Sequence, residues 1–216
     1  MRILKNAVTT FSLLLMLVSG AAIAQVKSPD VHMIRLSVSN AYLLKTAKPV
    51  LIDTGGTSDM PALVEGLKAQ GLRPQDITLA PQNLTARLLN RFSINPRFQS
   101  FEPDIVVKGE LDLSAWGVPG KAVVMPGHTL GSLVVLLDGQ QAVVGDIVLG
   151  GYLGGAIMPH RAGHHYFQAD VRRNEDNIAR LLKQGVETFY LGHGGPVTRE
   201  SVVDAFPAAA ASAALR

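Results

Sequence analysis

The chain has 216 residues, 47% of them hydrophobic and 17% charged, with 20 Lys+Arg against 17 Asp+Glu. This length and balance suit one domain with a sizeable core and exclude a disordered chain. Cysteine is absent, which excludes a disulfide framework, a thiolate zinc site and an acylated lipoprotein anchor, so any metal must be held by histidine and carboxylate.

Residues 1–24 read as a secretory signal peptide. Arg2 and Lys5 form a positive start, Phe11 to Val18 a short apolar stretch, and Ala22-Ile23-Ala24 a small-x-small cleavage site before Gln25. The apolar run is too short to span a bilayer. The expectation is an exported domain of residues 25–216, bound for a bacterial periplasm, with no stable membrane anchor after cleavage. The leader carries two basic and no acidic residues, so the mature chain has 18 basic against 17 acidic residues, a net charge of +1. No basic stripe with interleaved aromatics occurs, and nucleic acid is not an expected partner.

In the mature chain, residues 31–45 alternate and predict two short strands with a Ser-Asn bend. Val50 to Ile52 is a buried strand ending at Asp53 and a Gly-Gly turn. Asp59-Met60-Pro61 opens a helix, with Asp59 as cap and Pro in the first turn; Leu63, Val64 and Leu67 share a face, and Gly71 ends it. A strand is expected at "DITLA", stopping at Pro81, then a helical stretch "NLTARLLNRF" and a Pro/Phe-rich loop. "DIVVKGELDL" predicts a strand with a turn. Leu133 to Leu137 and Ala142 to Val144 flank "DGQQ" as a hairpin. "GDIVLGGYLGG" reads as loop, as does "MPHRAGHHYF". Asp170 to Gln184 is an amphipathic helix closed by Gly185. "VETFYLGHGGPV" is a strand running into a loop. A last helix starts near Thr198, and the Ala-rich end reads as a fraying helix. Strand-rich halves with attached helices imply a layered α/β (α+β) domain.

Four polar residues stand at the ends of apolar strands: Asp53, His128, Asp146 and His193. Loops after strands are where a rigid scaffold presents chemistry, and neighbouring glycines let backbone and ligand approach closely. Singly, each has a plain reading: a turn or cap aspartate, a structural histidine in a Gly loop. Together they form a candidate metal constellation. "DTGGTS" lacks the Lys-Ser/Thr of a phosphate-binding loop, and "GHTLGS" is not a Gly-x-Ser-x-Gly nucleophile turn.

"LIDTGG", "PGHTLGS", "VVGDIVLGG" and "FYLGHGGP", in this order and spacing, resemble the metallo-β-lactamase superfamily of zinc hydrolases, from about Val31 to Val203. The resemblance implies an αββα sandwich with a metal site at one edge. It also implies His128 as ligand of a first zinc, His193 of a second, Asp146 bridging the two, and Asp53 orienting ligands from behind. The implied activity is hydrolysis of an ester, lactone, thioester or similar bond in a small molecule, by attack of metal-bound hydroxide. The family's signature His-x-His-x-Asp-His is missing, because no histidine lies between His32 and His128. An N-terminal half shortened by one helix and one strand is therefore expected, with "DIVVKG" either closing the gap or leaving an edge open. Each metal then keeps at most two protein ligands, where a catalytic zinc usually has three. His160, His164 and His165 are candidate substitutes, with solvated loop positions as the plainer reading. A non-catalytic binding or scaffold protein on the same fold is the alternative to a hydrolase.

Overall fold

The computed structural model describes residues 29–77 and 105–215. Strands β1 (Asp30–Arg35), β2 (Asn40–Lys45) and β3 (Val50–Ile52) form an antiparallel sheet in that order. Strand β2 is buried on both faces, as its unbroken apolar run requires. Ala41 and Leu43 pack with Ile34, Leu51, Leu63 and Leu67 under helix α1 (Met60–Ala69). Tyr42 and Leu44 point the other way, onto Val135, Leu137 and Val143 of a second sheet.

That second sheet has six strands. They are β4 (Glu110–Asp112), β5 (Gly120–Val124), β6 (Leu133–Leu137), β7 (Gln141–Gly145), β10 (Thr188–Leu191) and β11 (Val197–Thr198), in spatial order β11-β10-β7-β6-β5-β4. Strand β10 runs parallel to β7, and the other neighbours are antiparallel. Between β7 and β10 the chain makes the hairpin β8 (Leu149–Tyr152) and β9 (Ile157–Gly163), then helix α2 (Val171–Lys183). Helices α3 (Arg199–Ala205) and α4 (Pro207–Ala214) follow β11. Val134, Ala142 and Val144 face this helical layer and meet Ile178, Leu181 and Leu182 of α2, with Val202 of α3 and Ala209 of α4 in the same cluster. The period-2 alternation thus sends successive residues of β6 and β7 to two different cores. The result is an αββα sandwich whose N-terminal sheet has three strands among the described residues, against six in the other.

Several expectations need correction. Asp59 flanks α1 but does not cap it through its side chain. Its carboxylate instead accepts from Ser37 N–H at 2.9 Å and Gly56 N–H at 2.8 Å, tying the loop before α1 to the β1–β2 turn. "GDIVLGGYLGG" and "MPHRAGHHYF" are not simply loop: they supply β8 and most of β9, a glycine-containing hairpin with a register shift between Gly150 and Tyr152. Residues 105–109 form no strand, and the first strand after them, β4, pairs with β5 at the edge of the six-stranded sheet. The segment therefore does not close the smaller sheet. The Ala-rich end is a packed helix, with Ala209 buried against the α2 layer. His32 lies inside β1 and pairs with Asp30 at 2.9 Å. The "NLTARLLNRF" helix, the Pro/Phe-rich loop, the leader and most of "DITLA" lie outside the described residues. Among the described residues no helix is long and apolar enough to cross a membrane.

Candidate metal centre

Adjacent parallel strands place two of the site residues. Leu191 of β10 pairs with Gly145 of β7, so the next residues, Gly192-His193 and Asp146, leave the same edge side by side. Gly192 N–H donates to the Gly145 carbonyl at 3.0 Å and locks that register. His193 Nε2 lies 3.6 Å from Asp146 Oδ1.

The third residue comes from the β5–β6 connection. Pairing of Val124 with Leu133 fixes the loop's ends. Inside it, Ser132 Oγ accepts from Thr129 N–H at 3.0 Å, and both side chains are buried. Helix α2 holds this loop and the one that carries Asp146: Asn177 donates to the Pro126 carbonyl and Asn174 to the Ile147 carbonyl, each at 2.8 Å. Gly127 is required for that contact, since a Cβ there would stand 2.7 Å from Asn174 Cα. His128 Nε2 consequently sits 3.6 Å from Asp146 Oδ2.

A fourth group joins them. His165 Nε2 lies 4.0 Å from Asp146 Oδ2, and its ring meets the His128 ring edge to face at 4.3 Å between centroids. The other two histidines of that segment go elsewhere. His160, on β9, contacts the Pro196 carbonyl through Nδ1 at 2.8 Å. His164 packs on Phe206, 4.4 Å between ring centroids. Asp53 has φ of 66° and turns its Oδ1 onto the N–H groups of Thr54 and Gly55, at 2.6 and 2.9 Å. It lines a small cavity of about 70 Å³ together with Ser39, His128, Ser132, Asp146 and His193.

The chemistry of these donors asks for a cation. His193 Nδ1 contacts the Val38 carbonyl, which can only accept, so the ring proton sits on Nδ1 and the Nε2 lone pair faces Asp146. His165 Nδ1 meets the Phe167 backbone, 2.9 Å from its carbonyl oxygen and 3.2 Å from its nitrogen, and the ring turns Nε2 toward Asp146. Burial holds the His128 imidazole below the ordinary histidine value, against the opposite pull of the Asp146 carboxylate, so it is neutral at pH 7. Nitrogens of three imidazoles thus converge on the two oxygens of one carboxylate. The separations of 3.6–4.0 Å are too long for hydrogen bonds, and Asp146 Oδ1 is buried without a hydrogen-bond partner. One ligand atom each from His128, Asp146 and His165 lies within 4.8 Å of the others. Three imidazoles and a carboxylate, with His193 Nδ1 turned to the Val38 carbonyl and His165 Nδ1 to the Phe167 backbone, form a donor set suited to a divalent ion such as zinc.

Two residues that support the site carry no metal-site signal in the sequence. Asn40 is buried and donates through Nδ2 to the Leu191 carbonyl at 3.0 Å and the Gly194 carbonyl at 2.8 Å. The Tyr42 hydroxyl donates to the same Leu191 carbonyl at 2.5 Å, and burial pushes its pKa up. Together they fasten the smaller sheet to the β10 end that bears His193. The one signal available in the sequence is a polar residue opening the otherwise apolar run "NAYLL".

No family model matches the sequence, and no curated protein does. Solved structures match the fold. A metallo-β-lactamase family protein from Thermus thermophilus superposes with a TM-score of 0.55 at 16% identity, over 81% of this chain and 77% of that one. A metallo-β-lactamase from Cronobacter sakazakii, solved as a HARLDQ-motif mutant, gives 0.51 at 21% identity over 76% and 77%. A β-lactamase from Chitinophaga pinensis gives 0.50 at 13% identity over 77% and 76%. The chain has the metallo-β-lactamase fold.

Proposed function

We propose that the chain is a metal-dependent hydrolase that cleaves an ester, lactone or thioester bond in a small molecule. The observation that carries this reading is the convergence of imidazole nitrogens from His128 and His193 on the two oxygens of Asp146, each at 3.6 Å, at one edge of the sandwich. Zinc is the ion that the resemblance implies. A bound divalent ion supplies Lewis acidity toward a carbonyl oxygen and lowers the pKa of water. The chain's own residues hold the ligand atoms in place: Val38 fixes the His193 tautomer, and Asn174 and Asn177 brace the loops that carry Asp146 and His128.

Exposed apolar side chains surround this edge. Val38 adjoins Ser39 of the cavity, Leu153 adjoins Gly154 beside His193, and Tyr166 and Phe167 follow His165. Leu153 is 73% exposed and Phe167 76%. Such a rim favours an uncharged, apolar acyl group next to the scissile bond and displaces water around it. Export to a periplasm, through the leader at residues 1–24, belongs to the same proposal.

A panel of aryl esters, acyl thioesters and lactones tests the reading. Turnover that disappears with a chelator and returns with zinc is the expected result. Metal-independent turnover, or none on any of the panel with zinc bound, contradicts it. The second reading, a non-catalytic binding protein, is favoured by one observation: the sequence has no His-x-His-x-Asp-His motif. It predicts metal or small-molecule binding without turnover.

A further inference from the structure

We propose that His165 is a metal ligand, and that the chain holds a single ion on His128 Nε2, Asp146 Oδ2 and His165 Nε2; this rests on the reading that the site is a metal centre. The ion is thereby given three protein ligands without the missing signature motif.

Geometry carries the assignment. One ligand atom from each residue lies within 4.8 Å of the others, and Oδ2 stands 3.6 Å from His128 Nε2 and 4.0 Å from His165 Nε2. Tetrahedral zinc with bonds of about 2.0–2.1 Å needs ligand atoms roughly 3.3–3.4 Å apart. Small side-chain rotations close that difference. The Phe167 carbonyl, 2.9 Å from His165 Nδ1, fixes the ring so that Nε2 faces the carboxylate.

His165 is also held in place by the backbone around it. Ala169 N–H donates to the His128 carbonyl at 3.0 Å, and Asp170 N–H to the Gly127 carbonyl at 2.9 Å. These bonds join the His165 segment to the His128 loop. Gln168 closes back on the His165 carbonyl at 3.2 Å, and Asp170 caps α2. His164, one residue earlier, is turned onto Phe206, so only one of the adjacent pair faces the site.

One ion rather than two follows from the remaining donors. All six histidines lie within the described residues, and there is no cysteine. Among the described residues, His193 alone of the imidazoles faces Asp146 Oδ1 within 4.0 Å. A second ion there would have two protein ligands, fewer than the three of an ordinary catalytic site.

The test is zinc and cobalt(II) binding to the purified full chain, read by equilibrium dialysis, elemental analysis and the cobalt absorption spectrum. Wild type is expected to take one ion per chain. His165→Ala should weaken binding at least tenfold and change the cobalt spectrum, whereas His160→Ala and His164→Ala leave both unchanged. Wild type also answers without any variant: zinc should protect His165, but not His160, from acylation by diethylpyrocarbonate, mapped by mass spectrometry. Undiminished binding by folded His165→Ala, or equal acylation of His165 with and without bound zinc, overturns the assignment while leaving the metal centre standing. A wild-type chain that binds no ion removes both.

Discussion

Gly192 and Asp146 touch so closely that no side chain fits between them: a Cβ on Gly192 would stand 2.2 Å from Asp146 Oδ1. The glycine before His193 is thus the wall against which the central carboxylate rests. Gly192→Ala must displace Asp146 from the histidines. We expect a folded protein whose zinc affinity falls about ten- to a hundredfold, the range seen when groups orienting a metal ligand are lost. Competition with a chromophoric chelator, beside a far-ultraviolet spectrum to check folding, measures it. Unchanged affinity would mean that Asp146 does not bind the ion.

Asn40 is expected to contribute stability rather than chemistry. Its two donated hydrogen bonds satisfy the Leu191 and Gly194 carbonyls in a buried seam between the sheets. Asn40→Ala takes the side-chain donor from the Gly194 carbonyl and leaves the Leu191 carbonyl its bond from the Tyr42 hydroxyl, at a cost of about 2 kcal/mol. Urea unfolding should show a lower midpoint with an unchanged slope. A midpoint equal to wild type would show that the seam does not depend on this side chain.

Acid sensitivity should trace to Asp59. Burial tends to raise its pKa, but the Ser37 hydroxyl, with the N–H groups of Gly56 and Ser37, outweighs that and holds it below the ordinary value of 3.8. A carboxyl with a lowered folded pKa adds stability that is complete above the unfolded pKa and is lost as pH falls through the folded one. Asp59→Asn should therefore be less stable than wild type at pH 7, with the difference shrinking as pH falls below about 4. A stability gap that stays constant from pH 7 down to pH 3 would assign the effect to packing.

The layers are legible in the sequence wherever apolar runs are strong. Strands β2, β3, β6, β7 and β10 follow directly from runs such as "AYLL" and "LVVLL", and α2 from its amphipathic period and the Asp170 cap. The hairpin β8–β9 is not, because its glycines and polar residues carry no alternation: pairing to each other makes it a strand pair, not propensity. The C-terminal helix reads as frayed because alanine signals helix without signalling burial, yet Ala209 is in the core. At the site, Asp146, His128 and His193 stand out by their glycine-flanked strand ends. His165 cannot be separated from His160 and His164 by sequence, since only the backbone bonds from Ala169 and Asp170 to the His128 loop decide which ring faces Asp146. Asn40 is hidden for a similar reason: its partners lie far along the chain, at separations of 151 and 154 residues.

The most direct test is zinc per chain on the purified protein after dialysis against a weak chelator. One retained zinc per chain is the prediction, from imidazoles and a carboxylate whose ligand atoms lie within 4.8 Å of one another. A value near zero, in a protein that is otherwise folded, would contradict it and leave His128, Asp146, His165 and His193 as a cluster without a metal.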